Sequence, residues 1–574
     1  MMKKKLISWL MSGLMWVHGA VIAGIKFDIH GLEERLKENV SVYLDAIPDS
    51  ERQLDFGFQA RITNEVSKAL QALGHYDSTI VFSIEDNMSN KDITVVLDIK
   101  DGPPILITDV DVQLNGAAAF DPAFATFLKS APKKGDVLNQ GQYDALKSGI
   151  QSLAIRRGYF DSDYALTRLE VAPKLKKAYI RLHFNSGSRY HLGQIIYKNS
   201  HINEQLLDSI LMLKEGNPYL ASDLSAYNQA LSNTGWFSSV LIEAEFDYMR
   251  DNRIPISVYL NPAPSNQLET GIGYSTDSGL RVKFGWMKPW LNRRGHSLHT
   301  DLYVSKPKTI LGSTYKIPLE GFQHKYYEVQ IGFVKHENSN IESFAWSSSV
   351  SRHWKYDSGW QGSVHFNWLY TGYTQGTNVN IINLFLPGIN FFRVKHQSGA
   401  MSSWGGKESI TFDVTDRLWG AEINLRRVVW QTSWIRSLNT NNRIIMRLNG
   451  GGVFTHEFKR VPPSLRFFAG GDNSIRGYGY ELISPKNNIG KPLGGSYITT
   501  GSLEYNYRIT GNYWVAMFTD VGDTWTNRAP SWNMSVGVGV RWESPIGPVR
   551  FDVAHGFKNT RDDFRLHFSL GPEL

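Results

Sequence analysis

Strict alternation of apolar and polar residues is the feature that most restricts the fold of this 574-residue chain. In residues 534–543, apolar side chains occupy every even position, and polar residues or glycines occupy every odd position. The same two-residue period occurs in 280–286, 503–508, 549–553 and 564–570. Because successive side chains of a β-strand point to opposite faces, each segment predicts a strand with one apolar and one polar face.

The polar faces of these strands carry arginine, glutamate and aspartate, which the core of a packed sandwich does not accept. A transmembrane barrel satisfies both faces, because lipid covers the outside and the lumen is polar. Residues 265–574 would hold ~16 strands at roughly 19 residues per strand and connection, an even number typical of bacterial barrels. They also contain 14 of the 17 tryptophans, a residue that concentrates at membrane interfaces. We expect a 16-stranded antiparallel transmembrane β-barrel; tryptophan content alone also fits a soluble sandwich or a sugar-binding surface.

Charge and cysteine content exclude several functional classes. Residues 1–264 carry a net charge of −4 and residues 265–574 one of +11, which together give the formal charge of +7. No nucleic-acid reader motif accompanies the basic excess, so we expect no nucleic-acid partner. The chain has no cysteine, which excludes disulfides, thiolate metal sites, cysteine nucleophiles and iron–sulfur clusters.

The first 23 residues predict a signal peptide. Lysines occupy positions 3–5, an apolar stretch follows at 6–17, and the small residues Val21 and Ala23 suit cleavage after Ala23. An uncleaved membrane anchor is the alternative. The apolar stretch falls short of the ~20 residues that span a bilayer, which favours cleavage and export.

Three short motifs recur in the N-terminal half: Gly74-His75-Tyr76-Asp77-Ser78, Gly158-Tyr159-Phe160-Asp161-Ser162 and Gly235-Trp236-Phe237-Ser238-Ser239. Their glycines are 84 and 77 residues apart, a spacing that indicates an array of small domains. Each motif follows an amphipathic helical pattern, so the glycine suits a helix C-cap and the aromatic would hold the next strand against the helix. We expect His75 to be an ordinary surface residue.

A predicted strand follows each motif, at 93–99, 178–184 and 254–260. The repeated unit is therefore predicted to be a small α+β domain. The polar segment 261–266, which contains two prolines, predicts a linker to the barrel. The predicted domain boundaries are 1–23 for the signal peptide, 24–103, 104–187 and 188–264 for the three repeats, and 265–574 for the barrel.

A signal peptide, three such repeats and a C-terminal barrel resemble the BamA-type superfamily of outer-membrane assembly and secretion proteins, and the repeats resemble its POTRA domains. Within the superfamily, three repeats and this chain length resemble the TamA branch, the outer-membrane subunit of the translocation and assembly module. The resemblance implies the outer membrane of a Gram-negative bacterium, with the POTRA arm in the periplasm.

Two motifs carry the resemblance in the barrel. Ile475, Arg476, Gly477 and Tyr478 resemble the superfamily's conserved tip on the long sixth extracellular loop, which folds back into the barrel. Further along the chain, Phe518, Asp520 and Gly522 resemble the Phe-x-Asp-x-Gly motif of the strand that receives this tip. An arginine inside a lumen needs a carboxylate, and Asp520 is the candidate for bidentate pairing. A solvated loop arginine is the alternative.

The first and last predicted strands would meet at a lateral seam. The first, residues 268–274, contains Leu268, Gly271 and Gly273; the last, residues 564–570, contains Phe564, Leu566, Phe568 and Leu570. Glycine contributes no packing side chain, so Gly271 and Gly273 would weaken pairing there. An opened seam would expose strand edges to which a substrate strand could add. The same glycines would also fit a bend in a permanently closed barrel.

The resemblance implies an assembly factor for autotransporter-type barrel proteins, with a TamB-like inner-membrane-anchored partner and a role in phospholipid transport to the outer membrane. A two-partner secretion transporter, a general assembly factor, a passive porin and a soluble adhesin are the alternatives. No nucleotide loop, nucleophile elbow or metal-ligand spacing is present in the sequence, so we expect a non-enzyme without a cofactor or metal.

Overall fold

The computed structural model of the protein describes residues 25–48, 52, 57–86, 93–210, 213–319, 325–338, 341–375, 378–396, 402–544, 547–558 and 564–570. The predicted signal peptide, residues 1–23, lies outside this described part. The chain divides into two compact units. The first takes in the chain up to Gly193 with Glu215–Ser222 and Phe246–Ile254, and the second takes in Gln194–Lys214, Asp223–Glu245 and Pro255–Leu574.

Three small three-stranded sheets precede the barrel, and in each the central strand is the last of the three in sequence. Their strands are β1 (Ile25–His30), β2 (Thr79–Asp86) and β3 (Ile93–Lys100), then β4 (Leu106–Asn115), β5 (Asp163–Ala172) and β6 (Lys177–Asn185), then β7 (His191–Lys198), β8 (Phe237–Ala244) and β9 (Arg253–Pro262). The spatial orders are β1-β3-β2, β4-β6-β5 and β7-β9-β8. In the first two sheets the outer strands pair with the centre in parallel and antiparallel fashion, respectively.

The helices between these strands are α1 (Glu34–Asp45), α2 (Phe58–Ala72), α3 (Pro122–Leu128), α4 (Gln140–Arg156), α5 (Glu204–Ile210) and α6 (Ala221–Ser232). They supply the apolar faces that the sequence predicts. In the first domain, Ile62, Val66 and Leu70 of α2 are fully buried in one core with Val95 and Leu97 of β3. The structure therefore confirms that three small helix-and-strand domains precede the barrel.

The repeated glycines end the helices as predicted. Gly158 has φ +84, and the amides of Gly158 and Tyr159 donate to Ile155 O and Ala154 O, which closes α4 in a Schellman motif. The same pair of bonds follows α2 at Gly74. The surface position predicted for His75 is wrong, because its ring is buried and its Nδ1 lies 3.1 Å from Asp101 Oδ2 and 3.2 Å from Gly102 O.

The aromatic of the third motif packs differently from the prediction. Trp236 is buried against Gly295, in the connection that follows the second barrel strand, and its Nε1–H donates to Gly295 O at 3.0 Å. A Cβ at Gly295 would lie 2.4 Å from the indole. Trp236 therefore ties the third domain to the barrel, a contact that the sequence did not predict.

The remaining strands form one closed antiparallel barrel. They are β10 (Gln267–Ser275), β11 (Gly279–Lys288), β12 (Ser297–Val304), β13 (Lys308–Pro318), β14 (Lys325–Asn338), β15 (Ile341–Lys355), β16 (Gln361–Gln375), β17 (Asn378–His396), β18 (Trp404–Thr415), β19 (Leu425–Ser437), β20 (Asn442–Phe454), β21 (Tyr497–Thr510), β22 (Tyr513–Trp525), β23 (Asn533–Ser544), β24 (Gly547–Gly556) and β25 (Arg565–Leu570). The predicted fold class, 16 strands included, is confirmed.

The two faces of the barrel strands follow the alternation in the sequence. On β23, Val536, Val538 and Val540 are exposed on the outer surface, whereas Ser535 and Arg541 are buried inside. The outer face is apolar because it meets lipid, and the inner face is polar because it lines the lumen. In the described ranges, no helix is long and apolar enough to span a membrane.

Candidate functional site

The connection between β20 and β21, residues 455–496, enters the barrel; we call it loop 6. Its tip residues Ile475, Arg476 and Tyr478 are all buried. Ile475 packs with Ala469 and Ile483 of the same loop. Gly477 has φ +86, and a Cβ there would lie 3.0 Å from Gly556 N, so only glycine fits this turn against β24.

Arg476 binds Asp520 of β22 in a bidentate pair. Its Nε donates to Asp520 Oδ2 at 2.8 Å and its Nη2 to Oδ1 at 2.9 Å, while its backbone amide donates to Oδ2 at 3.0 Å. The guanidinium carbon lies 3.4 Å from the ring centroid of Phe518, so the cation stacks on the aromatic face. Of the two alternatives drawn from the sequence, the structure has the paired arginine and not a solvated one.

Two more acids complete the surroundings of Arg476. Its Nη1 donates to Glu504 Oε2 of β21 at 2.6 Å and to Asp552 Oδ2 of β24 at 3.4 Å, and its Nη2 also donates to Ser502 Oγ at 3.3 Å. All five N–H bonds of the guanidinium therefore have an acceptor. A lysine offers three donors and no planar fork, so it could not replace this arginine.

A second buried arginine shares these acids. Arg541 of β23 donates to Glu504 Oε1 at 3.0 Å and to Asp552 Oδ1 at 2.5 Å. The network thus holds Arg476 and Arg541 against three carboxylates, on β21, β22 and β24. We call the strands β21–β24 with the loop 6 tip the anchored wall. Glu504, Asp552 and Arg541 were not assigned this role from the sequence, although each lies on the polar face of an alternating segment.

The rest of the tip reaches the neighbouring strands. The Tyr478 hydroxyl donates to Met534 O at 3.0 Å and accepts from the Lys558 amide at 3.2 Å. The Gly477 amide donates to His567 Nε2 of β25 at 2.9 Å. Gly522 of the predicted receiving motif lies further along β22, where a Cβ would be 2.5 Å from Thr499 O, so it permits close strand approach rather than contact with the tip.

Beside the tip, loop 6 and the opposite strands enclose a cavity of about 690 Å³. Its lining mixes apolar side chains with polar and charged ones, which include Asn367, Asp413 and Arg427 on the barrel side and Arg466 on the loop side. Asp413 is paired there with His365 at 2.9 Å and with Arg427 at 3.1 Å. Loop 6 therefore fills the lumen at the anchored wall and leaves a cavity of mixed lining beside it.

Where the structure describes the chain, the seam between β10 and β25 has fewer register pairs than the neighbouring strand pairs. Ser275 opposite Ser569 is its one register pair among the described residues, whereas β10 and β11 pair from Gln267–Met287 to Ser275–Gly279. Two bonds extend the seam beyond that pair: the Thr276 amide donates to Phe568 O at 3.0 Å, and the Phe568 amide donates to Thr276 Oγ1 at 3.1 Å.

The predicted seam residues fall into two groups. Leu268, Leu566 and Phe564 are exposed on the outside, and Phe564 lies just before β25 rather than within it. The Phe568 and Tyr274 rings approach across the seam, with centroids 5.9 Å apart. The predicted strand bounds shift by a residue or so, to Gln267–Ser275 and Arg565–Leu570.

The seam glycines give room to an arginine that crosses the seam. Gly271 and Gly273 lie opposite Lys283 and Arg281 of β11. A Cβ at Gly273 would lie 3.2 Å from Arg281 Nη2, and this same Nη2 donates to Leu570 O of β25 at 2.7 Å. The sequence analysis assigned no seam role to Arg281 or Thr276, because the stagger between the first and last strands cannot be deduced from periodicity.

A small polar cluster lies at the paired end of the seam. Asp277 of the β10–β11 turn, Asp472 of loop 6 and His567 of β25 have side-chain N and O atoms within 4.8 Å of one another. A cation site would need a free His567 nitrogen. Nε2 accepts from the Gly477 amide, so Nδ1 carries the hydrogen and donates to Asp472 Oδ1 at 2.5 Å. In this arrangement the histidine is a hydrogen-bond donor rather than a metal ligand.

The two carboxyls of the cluster, both outside the strands, differ in acidity. Burial and the neighbouring Asp472 charge raise the pKa of Asp277 to about 6. Burial also opposes ionisation of Asp472, but hydrogen bonding to His567 and Thr276 outweighs it and lowers the pKa of Asp472. Asp472 therefore keeps the negative charge, and Asp277 is the group that takes up a proton in mild acid.

Family models match three parts of the chain. A model described as the Omp85 superfamily domain matches residues 265–573. One described as POTRA domain TamA domain 1 matches residues 26–100, and one described as surface antigen variable number repeat matches residues 190–263. These matches coincide with the barrel, the first α+β domain and the third.

Curated relatives are similar over most of the chain. The outer membrane protein assembly factor BamA of Nitratidesulfovibrio vulgaris is 23% identical over 403 residues, which cover 64% of this chain and 50% of that protein. The BamA of Neisseria meningitidis serogroup B is 21% identical over 527 residues, or 76% and 63% of the two chains. The matched regions therefore span between half and two thirds of the length of these relatives.

Among solved structures, the crystal structure of Haemophilus ducreyi BamA lacking POTRA domains 1–3 has a TM-score of 0.69 and 17% identity, and the match covers 81% of this chain and 99% of that one. At this identity the likeness establishes the fold. The superfamily model itself covers more than half of the chain and coincides with the whole barrel. The chain therefore belongs to the Omp85 superfamily.

Proposed function

We propose that this protein is an outer-membrane assembly factor that helps to insert or secrete autotransporter-type β-barrel proteins through its lateral seam. The observation that carries the proposal is the contrast, within the described residues, between one register pair at the seam and the longer ladders of the neighbouring strand pairs. The proposed location is the outer membrane of a Gram-negative bacterium, with the POTRA domains in the periplasm. Membership of the Omp85 superfamily supports this location.

The proposed mechanism is strand addition. Among the described residues, Ser275 is the one residue of β10 with a register partner on β25. An opened seam would leave this edge of β10 without a partner strand. An extended substrate segment can bind such an edge through main-chain hydrogen bonds, which tolerate many sequences.

The short strands at the seam support a second contribution. In the described chain, β25, β10 and the adjoining β11 and β12 have six to ten residues each, compared with 19 in β17. A shorter apolar outer face is matched by a thinner bilayer, which lowers the cost of moving polar backbone into the membrane. We infer that the membrane beside the seam is thinned and favours insertion of the substrate.

For the finer assignment we propose the TamA branch. The match of residues 26–100 to the first TamA POTRA model and the presence of three α+β domains before the barrel support it. In this assignment the POTRA arm docks a TamB-like periplasmic partner, and the protein also supports phospholipid transport to the outer membrane. The protein acts without enzymatic chemistry or a cofactor, and its work comes from folding and insertion of the substrate.

The test uses the absence of cysteine in the chain. Ser275→Cys with Ser569→Cys creates a disulfide across the seam, and Ser349→Cys with Asn367→Cys creates a matched control on the paired strands β15 and β16. Assembly of an autotransporter is measured in cells before and after reduction.

We expect the oxidised seam pair to block assembly and reduction to restore it, with the control pair unaffected in both states. If the seam pair is fully oxidised and assembly continues at the wild-type rate, strand addition at the seam is wrong. Passage of a soluble protein through the pore, as in two-partner secretion, would then be the function to pursue.

A further inference from the structure

A single loop 6 residue, Asp472, contacts both sides of the seam. Its Oδ1 accepts from Thr276 Oγ1 at 3.1 Å, on the β10 side, and from His567 Nδ1 at 2.5 Å, on the β25 side. Its backbone amide donates to Asp277 Oδ2. The Asp472 side chain is only 9% exposed, so these bonds form away from water.

The neighbouring contacts join this residue to the seam ladder itself. The Thr276 hydroxyl that donates to Asp472 also accepts from the Phe568 amide of β25 at 3.1 Å. The His567 ring that donates through Nδ1 to Asp472 also accepts the Gly477 amide of the loop tip at 2.9 Å. Loop 6, the first hairpin and the last strand therefore share one set of hydrogen bonds at the only paired end of the seam in the described chain.

We propose that Thr276, Asp277, Asp472 and His567 form a seam latch, in which loop 6 holds β10 and β25 together and releases them when the Asp472 contacts break. This inference rests on the proposed function for its biological purpose. Asp472 is a positioning residue: it touches no substrate and acts by setting how often the β10 edge is exposed.

The two carboxyl groups of the latch are incompletely hydrogen-bonded. Asp277 Oδ1 and Asp472 Oδ2 are buried and accept no hydrogen bond within the described part of the protein. A buried acceptor without a donor is costly, and a proton taken up by Asp277 gives the pair one donor and removes one charge. The closed latch is therefore more stable when Asp277 is protonated.

The sign of the pH response follows from the two states. In the closed latch the pKa of Asp277 is about 6, because of burial and the Asp472 charge. In the open state Asp277 faces water and its pKa returns to the usual, lower value. The closed state thus binds the proton more tightly, so lowering the pH from 7.5 to 5 favours closure. The other charged or titratable groups near Asp277 are His567, Arg565 and Tyr480.

The test measures the seam directly in the full chain, in lipid nanodiscs without substrate. Nitroxide labels on Leu280→Cys of β11 and Phe551→Cys of β24, both exposed on the outside, report the distance across the seam strands. We expect Asp472→Ala to raise the ratio of open to closed molecules roughly tenfold, the size expected for loss of one hydrogen bond to a charged group. His567→Gln, with an intact backbone ladder, should shift the ratio in the same direction.

The matched control is Glu457→Ala, an acid of loop 6 that pairs with Arg417 and Arg460 instead of the seam. It should leave the distance distribution unchanged. The pH profile separates a latch from a merely structural contact: wild type should close further from pH 7.5 to 5, and Asp277→Asn should show no such response. Folding of each variant is checked by the heat-dependent gel mobility of the barrel.

An unchanged distance distribution in both Asp472→Ala and His567→Gln overturns the latch, and so does a full wild-type pH response in Asp277→Asn. Assembly in cells is scored separately with the same variants. If the seam opens in Asp472→Ala but assembly does not respond to seam state, the latch stands and the proposed seam function fails.

Discussion

The anchored wall and the seam are neighbouring regions of one barrel, and they differ in the number and burial of the hydrogen bonds and ion pairs that stabilise them. At the wall, five donors of Arg476 meet three carboxylates and a serine, all buried, and Arg541 binds two of the same acids. At the seam, the described residues give one register pair, two bonds to Thr276 and one bond from Arg281 of β11 to β25. We therefore expect the loop 6 side of the barrel to stay fixed while the seam parts.

Loop 6 binds the strands of the anchored wall through more contacts than it makes with the last strand. The loop 6 tip binds β21, β22 and β24 through side chains, and in the described chain Gly477 and Asp472 are the loop 6 residues that hydrogen-bond β25. We expect opening to break the few Asp472 contacts at the seam and to leave the buried ion network intact. A barrel that lost the network at each opening would have to expose buried charges, which is far more costly.

Removal of the central cation should have the largest effect. Arg476→Ala leaves Asp520 buried without its partner, so we expect a loss of about 3–5 kcal/mol in stability of the loop 6 anchor. Loop 6 should become sensitive to protease and assembly activity should fall, with the barrel still folded. Arg476→Lys, which keeps the charge but loses the bidentate pair, should recover only part of the activity. Wild-type protease resistance together with wild-type activity in Arg476→Ala would contradict the anchored wall.

Removal of the second cation should have a smaller effect. Arg541→Met deprives Glu504 and Asp552 of one partner, but Arg476 still binds both, so we expect a loss of about 2–3 kcal/mol. The measurement is the temperature at which the folded barrel loses its fast gel mobility. A double variant with Glu504→Gln should be less damaging than the sum of the single changes, because the two side chains share one network. Strict additivity would show that they act separately.

Loss of the arginine that crosses the seam should act on opening rather than on the fold. Arg281→Met removes one hydrogen bond to Leu570 O, which contributes about 1 kcal/mol. We expect disulfide formation in the Ser275→Cys and Ser569→Cys pair to become slower, because the two cysteines would face each other less often, with unchanged thermal stability of the barrel. Gly273→Val, whose side chain would crowd Arg281, should change the rate of disulfide formation in the same direction. An unchanged cross-linking rate in both variants would show that Arg281 does not stabilise the seam.

A surface ion pair on the outer part of loop 6 should have the smallest effect. Arg417 donates to Glu457 at 2.6 Å, but the Arg417 side chain is more than half exposed, so the pair is screened by water. We expect Arg417→Ala to cost below about 1 kcal/mol and to leave both protease resistance and cross-linking unchanged. A loss as large as that of Arg476→Ala would mean that the anchor does not depend on the buried network.

The fold was predictable because alternation identifies a strand and its two faces without any knowledge of neighbours. It placed Glu504, Arg541 and Asp552 on the polar face, but it could not bring them together. Contact between strands depends on their stagger around the barrel, and residues 28 and 76 positions from Arg476 in the sequence meet it only because of that stagger. Asp520 was accessible to prediction because its motif pairs it with the loop tip.

The seam shows the same limit. Periodicity identified the first and last strands, but it could not show that Ser275 at the end of β10 pairs with Ser569 or that Thr276 and Arg281 bond β25. Trp236 is a third case, because a local motif suggested a contact with the adjacent helix, whereas the indole packs on Gly295 of the barrel. Local patterns thus predict elements and faces, and long-range register decides which residues touch.

Amide hydrogen exchange of the full chain in lipid nanodiscs tests the contrast between the wall and the seam most directly, because it compares both regions in one sample. We predict that the amides of β10, of Thr276 directly after it and of β25 exchange much faster than those of β21, β22 and β23 and the Arg476 amide bound to Asp520. Equal protection of β10, β25 and the anchored wall would contradict the account, because it would mean that the barrel opens nowhere or everywhere alike.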